Sequence, residues 1–244
     1  MRIFGLHITG VFLISVLLAC YNGGPQVSGG ELLQKSIAHH DPGGRWANLA
    51  LDIHIQEPRV GNYARWSRVH WSDSLMFQMD REVDGHRLTY RCKDNNNITL
   101  FNDNMLDHRA DTALIKQYRL QSDRVDLYHD FYKTLIGLPM SLPDRIKTFT
   151  EVKQTNYNGI DAHAIGVILN KPLFSDRWVL YVARDDHRYL GMEIIDNNNS
   201  NDGERLYFTE WYDHRGVKLA RVRHWYDRAS GDYSGTDIIL KHIR

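Results

Sequence analysis

Side chains that would share one face of a helix recur near the start of the chain. Ser28-Gly29-Gly30-Glu31 has capping-box spacing, in which the Ser28 and Glu31 side chains each bind a backbone amide of the helix start. One face then carries Leu32, Leu33, Ser36, Ile37 and His40. Asp41-Pro42-Gly43-Gly44 ends this predicted helix.

A second helical stripe lies near the middle of the chain. Its positions are Val125, Leu127, Tyr128, Phe131, Tyr132, Leu135 and Ile136. We expect Ser122 to cap its start and Gly137 to end it, since Pro139 and Pro143 cannot continue a helix. The sequence therefore predicts two helices.

Most of the remaining chain alternates between apolar and polar residues, which is typical of strands. The first strand buries Leu49, Leu51, Ile53 and Ile55. Further predicted strands occupy residues 63–71, 75–80, 86–93, 98–102, 149–156, 160–170, 177–184, 189–197, 205–213, 217–227 and 234–243. Turn pairs such as Asn158-Gly159 and Arg215-Gly216 indicate antiparallel hairpins.

Several C-terminal strands are apolar on both faces. In residues 177–183, Trp178, Leu180 and Val182 alternate with Val179, Tyr181 and Ala183. A sheet with one face in water does not need this pattern. The fold class is therefore mainly β (α+β), with either an antiparallel curved sheet covered by the two helices or a closed barrel.

Composition and charge exclude several functional classes. The 244 residues are 42% hydrophobic, which excludes a disordered chain and allows one sizeable core. The 30 basic and 30 acidic side chains balance, so the chain lacks the basic surface typical of nucleic-acid binding.

The N-terminus has the features of a lipoprotein leader. Arg2 precedes an apolar stretch, and its core from Val11 to Ala19 is shorter than the roughly 20 residues that span a bilayer. Leu17-Leu18-Ala19-Cys20 resembles a bacterial lipobox, which implies lipid attachment at Cys20. We expect a signal peptide at 1–19, a flexible lipidated tether at 20–30 and a single β domain at 31–244. An ordinary secretory signal or a signal anchor is the alternative.

Candidate catalytic and metal-binding groups are weak. His39-His40-Asp41 could bind a metal, but adjacent residues at a helix end diverge, and a histidine stabilised at the helix C-terminus is the simpler interpretation. The sequence has no G-x-S-x-G turn, phosphate loop or dinucleotide fingerprint. Cys92 in a strand is interpreted as a buried, unreactive thiol. We predict no cofactor, no metal and no catalytic residue.

Aromatic residues on strands give a further clue. Most strand tryptophans pack in cores, but in a half-barrel some would line an apolar pocket. Both interpretations stay open. The candidate ligand-binding residues are Trp66, Trp71, Trp178, Leu180 and Trp211.

Four segments resemble an uncharacterised Bacteroidetes-type family of envelope lipoproteins. They are residues 37–42 with Trp46, residues 128–139, Trp225-Tyr226 and Gly235-Thr236-Asp237. The fold of that family is similar to the LolA/LolB lipoprotein-carrier class. The resemblance implies a half-barrel of about 11 strands with helices over its hollow, and no reaction.

Together these observations predict a membrane-anchored, non-enzymatic envelope lipoprotein that binds an apolar ligand, an acyl chain or a lipid, in a half-barrel cavity. Because no aspartate follows Cys20, we expect the outer membrane of a Gram-negative bacterium, with the domain in the periplasm or at the surface. The partners are the membrane, through the anchor, and the apolar ligand; no nucleic acid is expected and no protein partner is specified. The alternatives are an interaction subunit with a filled core and a histidine-dependent hydrolase.

Overall fold

The computed structural model describes residues 27–73, 76–94, 96–107 and 109–240. The predicted signal peptide, Cys20 and most of the tether lie outside these residues. No helix in the described ranges is long and apolar enough to cross a membrane.

The described residues form thirteen strands in one antiparallel sheet. The N-terminal strands are β1 Leu51–Arg59, β2 Asn62–Asp73, β3 Met76–Val83, β4 His86–Lys93, β5 Asn96–Phe101 and β6 Asn104–Met105. The C-terminal strands are β7 Ile146–Tyr157, β8 Ile160–Leu173, β9 Ser175–Ala183, β10 Tyr189–Ile195, β11 Gly203–His214, β12 Val217–Asp227 and β13 Tyr233–Leu240. Their order across the sheet is β6-β5-β4-β3-β2-β1-β13-β12-β11-β10-β9-β8-β7.

The sheet is a curved half-barrel, and the expectation of about 11 strands was too low. Strands β6 and β7 are its two edges and do not pair with each other, so the described sheet is not closed. The central junction is the pairing of β1 with β13, which joins the two halves of the chain. One strand missed from the sequence, β6, has only two residues, too few for a detectable alternation.

Three α-helices, rather than two, occur in the described chain: α1 Gly29–His40, α2 Thr112–Tyr118 and α3 Asp123–Ile136. Short 3-10 turns cover Trp46–Asn48 and Pro143–Arg145. The capping box of Ser28 and Glu31 is present, as predicted. Ser122 was expected to cap α3, but it makes no side-chain capping hydrogen bond. The short helix α2 runs into α3 through Arg119, which adopts a left-handed conformation with φ of 55°.

The helices cover one face of the sheet and divide its core into two clusters. Helix α1 buries Leu32 and Leu33 against strands β8 to β12. Helix α3 buries Val125 and Tyr132 against strands β1 to β4. The end of α3 touches the Trp46 indole, and a Cβ added at Gly137 would overlap that ring. The two clusters meet where β1, β13 and β12 run side by side.

The opposite face of the C-terminal strands explains their two-sided apolar pattern. A separate small cluster forms there around Tyr157, Ala162, Ala183 and Leu190. The rings of Tyr157 and Tyr181 stack with centroids 3.7 Å apart, and Tyr207 packs beside them. Aromatic packing on the outer face, rather than barrel closure, therefore accounts for apolar residues on both sides.

Candidate functional site

A groove of about 770 Å³ lies between α3 and the sheet. Its walls come from α3, the end of α2, strands β1 to β4 and the ends of β10 to β13. This volume is within the range of about 300–1,000 Å³ that ligand sites occupy. The groove is the candidate binding site.

Aromatic and aliphatic side chains form much of the groove wall. Tyr128 and Phe131 reach down from α3, and the Tyr128 ring meets the Tyr90 ring edge-on at 4.8 Å. At the rim, Leu127 is 36% exposed and Phe174 is 64% exposed. Exposed apolar side chains at the mouth of a groove favour an apolar ligand, because its binding removes them from water.

A buried polar cluster interrupts this apolar wall. The Tyr132 hydroxyl donates to Glu57 Oε1 at 3.1 Å and accepts from Arg81 Nη2 at 2.8 Å. Ser67 Oγ donates to Glu57 Oε2 at 2.9 Å. Because Glu57, Ser67, Arg81 and Tyr132 are all buried, each depends on the others for hydrogen bonds. We call these four residues the Glu57 cluster.

A second set of charges adjoins the Glu57 cluster on β12 and β13. Asp237 accepts a hydrogen bond from Trp225 Nε1 at 2.8 Å and forms an ion pair with Arg59. Arg223 is opposite Asp237 in the register and is 2% exposed. The groove therefore has an apolar wall beside a row of buried, mostly compensated charges.

Burial and neighbouring charges set the protonation of these groups. Burial alone would lower the pKa of Arg81, but Tyr132 and Glu57 beside it raise that pKa above its usual value. Burial raises the pKa of the Asp237 carboxyl, and the Arg59 guanidinium opposes that rise. Burial likewise raises the pKa of the Tyr132 hydroxyl, so it stays protonated and donates to Glu57.

The five predicted ligand residues lie away from the groove lining. Trp178 and Leu180 are buried in the cluster under α1, and Trp211 packs beside them. Trp71 lies in the other cluster, where its Nε1 donates to Leu49 O at 2.9 Å. Trp66 is 45% exposed on β2, one position from the buried Ser67 and so on the opposite face. Cys20 lies outside the described residues, and contact of any of these residues with lipid stays a prediction.

His40 has a structural role, because its ring connects helix α1 to the sheet. Its ring is fully buried, with Nε2 accepting from the Tyr189 amide at 2.9 Å and Nδ1 placed 3.2 Å from Lys218 O. Burial, with the neighbouring His39, lowers the pKa of His40 to about 3. A neutral imidazole therefore joins α1 to β10 and β12, whereas the sequence suggested a cation at the helix end. Among the described residues, no three His, Cys, Asp or Glu side chains are placed to hold a metal ion.

The Glu57 cluster was not predicted from the sequence, although the alternation of buried residues in β1 and β3 indicates it. In β1 the buried face reads Leu51, Ile53, Ile55 and then Glu57. In β3 it reads Phe77, Met79 and then Arg81. A charge that continues an apolar alternation points to a buried polar site. Phe174, in contrast, follows no periodic pattern, because it lies between two strands with φ of 66°.

Comparisons with known proteins find similarity in structure alone. No family model and no curated protein matches the chain. A LolA superfamily protein from Nitrosomonas europaea superposes with a TM-score of 0.50 and 8% identity, covering 88% of this chain and 93% of that one. A DUF1329 family protein from Desulfovibrio piger has a TM-score of 0.49, 10% identity, and coverage of 88% and 92%. A putative outer membrane lipoprotein-sorting protein domain from Vibrio parahaemolyticus has a TM-score of 0.46, 11% identity, and coverage of 88% and 93%. The likeness to the first of these structures is one of fold, and the chain therefore has a LolA-like half-barrel fold.

Proposed function

We propose that this chain is a non-enzymatic lipoprotein of the cell envelope that binds the acyl chain of a lipid in the groove under α3. Residues 1–19 act as the signal peptide, Cys20 carries the lipid, and the segment after Cys20 tethers the domain, whose first helix begins at Gly29, to the outer membrane. The observation that carries the proposal is the groove of about 770 Å³ with its apolar wall and exposed apolar rim. A LolA-like fold is consistent with it.

Apolar burial supplies the binding energy in this proposal. Each acyl methylene removed from water contributes about 0.8 kcal/mol, so a chain laid along Tyr128, Phe131 and Leu88 needs no specific polar contact. The Glu57 cluster supports a binding role rather than a catalytic one, because its hydrogen-bonding groups are used within the cluster.

Native mass spectrometry of the full chain carrying Cys20→Ser tests the proposal. We expect a mass excess that organic extraction removes, with an acyl lipid in the extract. A lipid-free mass contradicts the proposal, and a lipid-free chain with a stable co-purifying protein favours an interaction subunit instead.

Substitutions at the rim link the bound lipid to this groove. Leu127→Gln with Phe174→Gln removes two apolar contacts, each worth up to about 1.5–3 kcal/mol when buried, so we expect at least a tenfold loss of acyl-lipid affinity. Val60→Gln with Met105→Gln is the matched control, because both residues are exposed and neither lines the groove. Equal losses in the two double variants would place the ligand elsewhere.

A further inference from the structure

Two arginine side chains line one end of the groove. Arg119 ends α2 and Arg124 lies in the first turn of α3, and both line the groove. This end is held against the sheet by hydrogen bonds from Tyr90 Oη to Tyr118 O at 2.9 Å and from Thr99 Oγ1 to Leu120 O at 2.8 Å. The backbone on both sides of Arg119 is therefore held beside strands β4 and β5, and Arg124 follows it at the start of α3.

These two arginines differ from the other arginines of the groove in their pairing. Arg59 pairs with Asp237, while Arg65 and Arg81 lie within 4 Å of Glu57. Within the described chain, neither Arg119 nor Arg124 forms an ion pair. Arg124 Nε is buried and has no hydrogen-bond partner among these residues.

The acidic residues of the groove lie elsewhere along it. Of the three lining carboxylates, Glu57 belongs to the Glu57 cluster, and Asp196 and Glu204 lie at the ends of β10 and β11. Strands β10 and β11 are separated from β4 by β3, β2, β1, β13 and β12. The groove thus has uncompensated positive charge at its α2–α3 end and negative charge at the far end.

We infer that the α2–α3 end of the groove binds the phosphate head group of an anionic phospholipid, held by Arg119 and Arg124. This inference rests on the proposed acyl-binding function and names the ligand class. Guanidinium groups bind phosphate oxygens through paired N–H donors, and two of them can share one phosphate. The acyl chain continues from there along the Tyr128 and Phe131 wall.

Two lysophospholipids with the same acyl chain test the inference on the full chain carrying Cys20→Ser. Both lipids carry a phosphate, but the choline ammonium of lysophosphatidylcholine balances that charge and is repelled by the arginines, whereas lysophosphatidylglycerol keeps a net negative charge. We expect the anionic lipid to bind at least tenfold more tightly at low salt, with the preference shrinking as salt screens the charges of the two arginines. Arg119→Gln with Arg124→Gln should bring the ratio of the two affinities close to one.

A matched pair of substitutions keeps the test specific. Arg109→Gln with Arg184→Gln removes the same charge from residues that do not line the groove, and the preference should persist. Equal binding of both lipids to the unsubstituted groove overturns the head-group inference and leaves acyl binding intact. Binding of neither lipid overturns the proposed function itself. Inorganic phosphate is included as a competitor, and full displacement of the lipid by phosphate at equal concentration would assign the site to free phosphate.

Discussion

Glu57→Gln is expected to lower the free energy of unfolding by about 3 kcal/mol, measured by chemical denaturation at pH 7. The substitution keeps the side-chain shape but removes the negative charge from a residue that is 2% exposed. Arg81, which is also buried, then lacks its counter-charge, and such losses cost about 3–5 kcal/mol. We expect the lower end of that range, because Asp237 is still close to the site.

Two further variants isolate the cause of this loss. Glu82→Gln makes the same chemical change at an exposed position on β3 and should alter stability by no more than about 0.5 kcal/mol. Arg81→Met should also destabilise the fold, and the double variant with Glu57→Gln should cost clearly less than the two single losses combined. Strict additivity would show that the two charges do not compensate each other.

His40 should make the stability of the fold depend on pH in the mildly acidic range. Its pKa is about 3 in the folded state and about 6.5 in the unfolded chain, so between these values the unfolded state binds the extra proton. The stabilising contribution is complete above pH 6.5 and decreases by about 1.4 kcal/mol for each pH unit below it.

His40→Gln is the variant that tests this dependence. At pH 7 it should be less stable than the parent by about 1–3 kcal/mol, because the Tyr189 amide and Lys218 carbonyl lose their partner. As the pH falls from 6.5 to 4.5 the parent should lose about 2–3 kcal/mol that the variant keeps, so near pH 4.5 the variant should be about as stable as the parent or more stable. His54→Gln makes the same chemical change at an exposed position of β1, and at pH 7 it should alter stability by no more than about 0.5 kcal/mol. A difference that stays constant with pH would mean that His40 titrates normally.

Much of the secondary structure could be predicted from the sequence, because helix and strand patterns depend on residues that are close together in the chain. Strands β4 and β12 have the predicted bounds, and the capping box of α1 forms as expected. Helix α2 was missed because its seven residues are too few for a clear apolar stripe. Alternation assigns a residue to a face of the sheet, but sheet order and closure depend on pairings such as β1 with β13, which are distant in sequence.

The candidate site was less predictable than the fold. The stripe on α3 was found, yet it gave no sign that Leu127 would remain at an open rim while Val125 is buried. Trp178 and Trp211 were predicted to contact ligand from their residue type, whereas the structure packs them with α1. The groove forms between elements from both halves of the chain, and a pattern of neighbouring residues cannot predict a cavity of that kind.

Photocrosslinking tests the central claim, lipid binding in the groove, most directly. An acyl lipid with a diazirine in mid-chain is bound to the full chain carrying Cys20→Ser, irradiated, and the labelled peptides are mapped. We predict labels on residues 127–132 of α3 and around Phe174, with loss of label in the Leu127→Gln, Phe174→Gln variant. Labels confined to the outer face, for example at Trp66, would contradict the claim.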